Sequence, residues 1–312
     1  ADAAAAERLL VQVSQFERPA HLRLTGGDVL SRHDIFRLVG FARELGINTG
    51  ARLCPTPRLT PTALQKLQNV GLDYIVMSVE GPDDVTHDGI RGGGAVSGDF
   101  ARTMRAISWA TKLRLPVQVH TLLVVRNAGD LDRIARKLVA WGVESWQIHF
   151  LGPYRPGLIH HRLSGVSHSA VFEEIRQLSD KHDLHIEIVG ANHHIVNAVN
   201  DDWPIEHRPS PSAIPRRPLG IHAGKGLMFI DPTGTVHPSR DVQVGCGQVT
   251  SSWLVDIYQR HPVFRELRDA DRLMGKCGVC EYRDWCGGDR GRAMAAPGHI
   301  LSDEPDCEYL PG

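Results

Sequence analysis

Six short apolar runs, each ending in turn or polar residues, punctuate the first two thirds of the chain: Ala20 to Leu24, Asn48 to Leu53, Tyr74 to Val79, Val117 to Val125, Ser145 to Leu151 and His185 to Val189. Between them lie stretches with apolar residues at helical spacing, such as Ile35, Leu38, Val39 and Ala42, or Leu131, Ile134 and Leu138. Strands alternating with helices at this interval read as βα units feeding a parallel sheet. The repeat length of about 25 to 35 residues is that of barrel and doubly wound folds.

With 312 residues, 42% of them hydrophobic, the chain can bury a large core, which excludes a small disulfide scaffold. Thirty-five basic against 36 acidic side chains leave a net charge of -1, so no global field favours nucleic acid or an anionic membrane. No apolar run approaches the roughly 20 residues that span a bilayer, and no secretory leader pattern opens the chain. The expectation is a cytoplasmic protein without nucleic-acid or membrane partners. Because the first residue is Ala1 and the chain opens inside what reads as an amphipathic helix, further residues upstream are expected.

From Asp201 to Pro218 five prolines interrupt any periodicity, which reads as a linker. Gly226 to Ile230 and Thr235 to Pro238 flank a turn-forming Asp231-Pro232-Thr233-Gly234, predicting a hairpin. Helices are expected over Ser252 to Arg260 and Pro262 to Leu267. The expected organisation is therefore a barrel over 1–200, a linker over 201–224 and a small module over 225–312.

Cys54 and Cys246 stand alone, but four of the six cysteines fall in the last 36 residues, as Cys277-x2-Cys280-x5-Cys286-x20-Cys307. Two thiolates separated by two residues can turn inward from one loop, and two more close a four-sulfur cage. The spacing alone leaves iron-sulfur and zinc both open. The flanking text, Lys276-Cys277-Gly278-Val279-Cys280 through Cys286-Gly287-Gly288-Asp289-Arg290-Gly291-Arg292-Ala293 and on to Glu304-Pro305-Asp306-Cys307, closely resembles the C-terminal SPASM or twitch segment of radical S-adenosylmethionine (SAM) enzymes. The resemblance implies an auxiliary 4Fe-4S cluster on Cys277, Cys280, Cys286 and Cys307. Where two-cluster relatives carry a Pro-Cys pair, this chain has Pro238-Ser239, so the single-cluster type is expected and Cys246 is not expected to be a ligand.

The first strand runs into Leu24-Thr25-Gly26-Gly27-Asp28. Alone, this is an ordinary turn with a helix cap; in context it resembles the motif of the same family that binds the SAM amino group, implying a role for Thr25, Gly26, Gly27 and Asp28. Val76-Met77-Ser78-Val79-Glu80-Gly81 with His87-Asp88 and Arg91-Gly92 resembles a second family pattern, which points Ser78 and Glu80 at the SAM site. His120, in Val119 to Asn127, stands where the family often has asparagine and is a further candidate, against the plainer reading of a hydrogen-bonded strand histidine. The Gly92-Gly93-Gly94 run reads as a surface loop.

The resemblance implies a fold, an incomplete parallel (β/α)6-type TIM-like barrel lacking its first strand, with a small C-terminal cluster-binding module. It also implies a reaction, reductive cleavage of SAM to a radical that takes hydrogen from a peptide or tetrapyrrole-like substrate, and an electron donor such as flavodoxin or ferredoxin. The C-x3-C-x2-C loop that would hold a second, catalytic 4Fe-4S cluster is absent from the 312 residues and is expected upstream. Two alternatives stay open: a degenerate homologue acting as a binding protein, and a zinc knob on a sugar- or phosphate-binding barrel. His160-His161, His193-His194, Tyr154, Arg155 and Arg216-Arg217 read as solvated or capping groups. Trp141, Trp146 and Phe150 read as core.

Overall fold

The computed structural model describes residues 2–17, 20–92, 98–152, 160–164, 166–182, 184–193, 195, 213–215, 221–296 and 298–312. Six parallel strands, β1 (His21–Leu24), β2 (Asn48–Arg52), β3 (Tyr74–Ser78), β4 (Val117–Leu123), β5 (Ser145–Phe150) and β6 (His185–Val189), pair in chain order. They coincide with the six apolar runs of the sequence. Helices α1 (Ala3–Ser14), α2 (Ile35–Glu44), α3 (Pro61–Asn69), α4 (Asp84–Gly92), α5 (Asp99–Lys112), α6 (Leu131–Ala140) and α7 (Val166–Lys181) intervene. The sheet and its helices form a curled half-barrel, in agreement with the expected incomplete (β/α)6-type architecture.

Side chains alternate along each strand. Ile75, Met77, Val117, Val119, Trp146 and Ile148 join Val39, Leu64, Ile107, Leu131 and Ile134 in the main apolar core between strands and helices. The intervening positions carry Arg23, Arg52, Ser78, Gln118, His120, Gln147 and Glu187, linked to one another across the strands, so they line the concave inner face. The fold thus presents an apolar outer face to its helices and a polar inner one to a ligand.

Helix α1 is the amphipathic helix on which the sequence opens. Asp2 caps it, accepting from Ala5 N at 2.7 Å. Beyond the barrel, β7 (His222–Ala223) and β8 (Gly226–Leu227) pair, β9 (Phe229–Ile230) and β10 (Val236–His237) make the expected hairpin, and α8 (Leu254–Arg260) and α9 (Pro262–Arg268) follow. Short helices α10 (Gly275–Val279) and α11 (Arg290–Ala295) carry the cysteine region. Of the predicted linker 201–224, residues 213–215 and 221–224 lie among the described residues. There Ile214 packs on Tyr74 and Val76, and Asn48 donates to Ala213 O at 3.0 Å. Among the described residues no helix is long and apolar enough to cross a membrane.

The C-terminal segment shares a core with the start of the chain. Leu10 and Val13 of α1 and Leu38 and Ala42 of α2 pack with Val236, Leu254, Ile257 and Phe264. Buried Gln12 spans this seam, donating to Val249 O at 3.0 Å and accepting from Leu254 N at 2.8 Å. Gln12→Ala strands both backbone groups away from water and is expected to cost about 1–3 kcal/mol, read as a lower urea midpoint at unchanged slope.

Candidate functional site

Thr25, Gly26 and Gly27 lie exposed immediately beyond β1, at its C-terminal end. Gly26 has φ +127°, and a Cβ built at either glycine would meet nothing within 4 Å. The pair therefore leaves an open cradle in which backbone can approach a ligand. Asp28 is more occupied than its sequence role suggests. Its Oδ1 accepts from Leu30 N at 3.1 Å, capping the short turn at Val29–Ser31, and its Oδ2 accepts from Thr56 Oγ1 at 2.8 Å with Arg58 3.7 Å away.

Ser78 ends β3 and is the register partner of His120 on β4, so the strand pairing itself brings these two candidates together. Ser78 accepts from Arg52 at 2.8 Å. Glu80 is buried and turned back toward β4: Oε2 accepts from Leu122 N at 2.6 Å, and Arg91 stands 4.0 Å from Oε1. His120 is buried beside Gln118 at 3.1 Å and Arg23 at 3.5 Å, with its ring centroid 4.5 Å from that of His149. Burial, then the neighbouring His149, Arg23 and Arg52, holds it well below the usual histidine range and hence neutral.

The residues after Glu80 build the loop rather than face the opening. His87 accepts from Glu80 N at 3.0 Å, which places its proton on Nε2, 3.3 Å from Asp99. Asp88 accepts from Gly98 N and Phe100 N at 2.7 and 2.8 Å, fixing the start of α5, while Arg91 donates to Asp99 at 2.9 Å. Asn127 closes the set, donating to Glu80 O and Leu122 O. Gly93 and Gly94 lie outside the described residues, as do Tyr154, Arg155, His194, Arg216 and Arg217.

Cys277, Cys280, Cys286 and Cys307 line one pocket together with His193, Lys276, Gly288, Glu304, Tyr309 and Pro311. Its cavity volume is about 20 Å³, somewhat above the ~10–15 Å³ that one water needs. All six cysteines are free thiols. Among the described residues no three His, Cys, Asp or Glu side chains converge closely enough to hold a single ion. Cys54, beyond β2, lies 3.7 Å from Gly27 O. Cys246 is packed in the seam core with α1, where burial pushes its thiol up to about 11.

The cavity is held by backbone geometry and by two buried arginines. Gly287 and Gly288 both take φ +62°, and a Cβ at Gly288 would fall 2.4 Å from Arg290. Gly288 N donates to Cys286 Sγ at 3.4 Å and Glu304 N to Cys277 Sγ at 3.3 Å, the kind of contact that stabilises a thiolate. Burial raises Cys280, Cys286 and Cys307, and burial, then the adjacent Asp289, raises Glu304. Arg290 donates to Ile300 O and Ser302 O, while Arg292 donates to Gly190 O beyond β6 and pairs with Asp306, next to Cys307. Asn192 adds bonds to Cys286 O and Gly288 O.

Several of these groups escaped the sequence reading. Arg23 and Arg52 were detectable as charged residues inside strands covered on both faces. Arg292, Asp306 and the His168 to His193 contact at 3.1 Å link positions too far apart in sequence to be paired by eye.

Comparison with known proteins places residues 2–138 on the model of the radical SAM superfamily. The AdoMet-dependent heme synthase of Methanosarcina barkeri is 28% identical over 309 residues, covering 98% of this chain and 87% of that protein. The PqqA peptide cyclase of Methylocella silvestris is 23% identical over 296 residues, covering 93% and 75%. Among solved structures, Streptococcus suis SuiB bound to S-adenosylmethionine matches with TM-score 0.73 at 14% identity, over 99% of this chain and 71% of that one, a likeness of fold.

Arg292→Met breaks the buried pair with Asp306 and the bond to Gly190 O, leaving Asn192 to tether the cysteine turn, with an expected loss of about 3–5 kcal/mol seen in denaturant unfolding. A second expectation concerns His168, buried at 1% exposure, whose pKa burial lowers to about 4, with Arg292 adding to the shift. The unfolded state takes up this proton near pH ~6.5 and the folded state does not, so stability falls as pH drops through that window toward 4. His168→Phe is expected to flatten this slope.

Proposed function

The chain carries a radical SAM domain, and from that premise we propose that it binds SAM at the C-terminal ends of its strands and holds an auxiliary 4Fe-4S cluster on Cys277, Cys280, Cys286 and Cys307. The carrying observation is that four free thiols, drawn from 31 residues of chain, line one cavity. Four free thiols brought to one pocket, two of them accepting from backbone N–H groups, support a shared inorganic group there. Residues 1–200 act in this reading as the barrel, 201–224 as the linker and 225–312 as the cluster module.

The donor set around the SAM position also fits. Gly26 and Gly27 leave backbone open for the methionine end, and Asp28 retains carboxylate lone pairs for its ammonium. Ser78 and His120 are register partners on β3 and β4, Glu80 follows β3, and His120, held neutral, can give or accept one hydrogen bond. When bound, SAM and a reduced cluster supply one-electron chemistry that removes hydrogen from a substrate. The protein holds the reactants, orients them and keeps water out of the barrel.

With four thiols, the auxiliary cluster leaves no iron open, which favours electron transfer over substrate ligation. Heme synthases and peptide cyclases among the relatives support a tetrapyrrole-like or peptide substrate. A flavodoxin- or ferredoxin-like donor and a cytoplasmic setting complete the proposal.

One observation favours a second reading. In a degenerate homologue that binds without catalysing, the complete open reading frame would lack the cluster-binding C-x3-C-x2-C triplet, which the 312 residues do not contain. Anaerobic reconstitution of the complete open reading frame separates the two. The enzyme reading predicts about eight irons per chain, two four-iron clusters, with reductive cleavage of SAM. About four irons without cleavage would refute it.

A further inference from the structure

Two guanidinium groups stand on the inner wall of the barrel with only neutral partners. Arg23 of β1 reaches across to β4 and β5, donating to Gln118 Oε1 at 2.7 Å and Gln147 Oε1 at 3.3 Å, with His120 Nε2 at 3.5 Å. Its Nε is buried and finds no acceptor among the described residues. Arg52 of β2 donates to the hydroxyl of Ser78. Neither arginine has a carboxylate within 4.0 Å among the described residues, whereas Arg32, Arg91, Arg133, Arg162 and Arg292 each do.

The acidic groups nearby are committed elsewhere. Glu187 accepts from Gln147 at 2.6 Å and lies 2.9 Å from His185, and Glu80 accepts from Leu122 N with Arg91 at its other oxygen. Burial opposes the charge on Arg52; Glu80 favours it, while Arg240 and Arg91 add like charge. A sheltered cation without a counter-ion is costly to fold around, and amide partners only partly offset it. Such an arrangement is complementary to an incoming anion, and the planar fork of each arginine matches a carboxylate.

We propose that Arg23 and Arg52 form an anion subsite on the inner barrel wall whose ligand is a carboxylate of the substrate. Because Arg23 pairs with Gly50, Arg52 lies one inward position further along the adjacent strand, and both guanidiniums stand near enough to His120 to act on its charge. Arg23 also precedes Thr25 by one inward step, about 7 Å of strand, and points away from the glycine cradle toward β4 and β5. This favours a substrate carboxylate over the methionine carboxylate of SAM, which shares the same chemistry. The assignment rests on the proposed function, since it takes the strand ends as the place where SAM and substrate meet.

The test uses the complete open reading frame, reconstituted anaerobically, with glutarate as the anion probe and S-adenosylhomocysteine as the nucleotide probe. Glutarate is expected to raise the melting temperature above that in sodium chloride of equal ionic strength by at least about 2 °C. Arg52→Met abolishes that increment while melting no lower than wild type in chloride, because it removes an unpaired cation; Arg23→Gln reduces the increment. S-adenosylhomocysteine affinity, measured by calorimetry, stays within about twofold in both variants. A full glutarate increment in Arg52→Met, or a lower melting temperature in chloride with the increment intact, overturns the subsite. A loss of about tenfold or more in nucleotide affinity reassigns the arginines to SAM and overturns the substrate half. Wild-type protein with no affinity for the nucleotide sinks the proposed function, and the glutarate result then stands separately.

Discussion

Arg292 joins three things that sequence keeps far apart: the carbonyl of Gly190 at the end of the barrel's last strand, the helix following the third clustered cysteine, and Asp306 beside the fourth. A buried guanidinium tolerates that position only if its charge is met, and Asp306, itself also bound by Arg162 at 2.5 Å, meets it. The consequence is geometric. Cys286 and Cys307 are held at one cavity, at the edge of the sheet where the strand ends open.

The barrel interior obeys the complementary logic. Apolar side chains go outward to the helices, leaving the concave face to arginine, histidine, glutamine and glutamate. Such a face is satisfied laterally, strand to strand, and its remaining capacity points toward whatever enters. The loop between β3 and α5 is stiffened by His87, Asp88, Arg91, Asp99 and Asn127, so the strand ends form a preorganised rim.

Much of this was legible in the residues. All six strands, the hairpin and the helices at 254–268 follow from periodicity and turn chemistry, because local propensity and tertiary burial agree there. The four cysteines were legible as a set from spacing, and they do share a cavity. What escaped was long-range or dual in role. Asp28 reads as a ligand group yet also caps a turn and holds Thr56. Glu80 reads as facing the site yet is bonded to Leu122 N. Gln12, Arg23 and Arg292 act through partners up to 242 residues away, which no local pattern encodes.

The central claim is that the four clustered sulfurs share one inorganic group. Mössbauer spectroscopy of the anaerobically reconstituted 312-residue chain addresses it most directly. The account predicts about four equivalent-chemistry irons per chain, each bound by sulfur in a cubane. A mononuclear or two-iron spectrum, or protein that retains zinc and excludes iron, would contradict it.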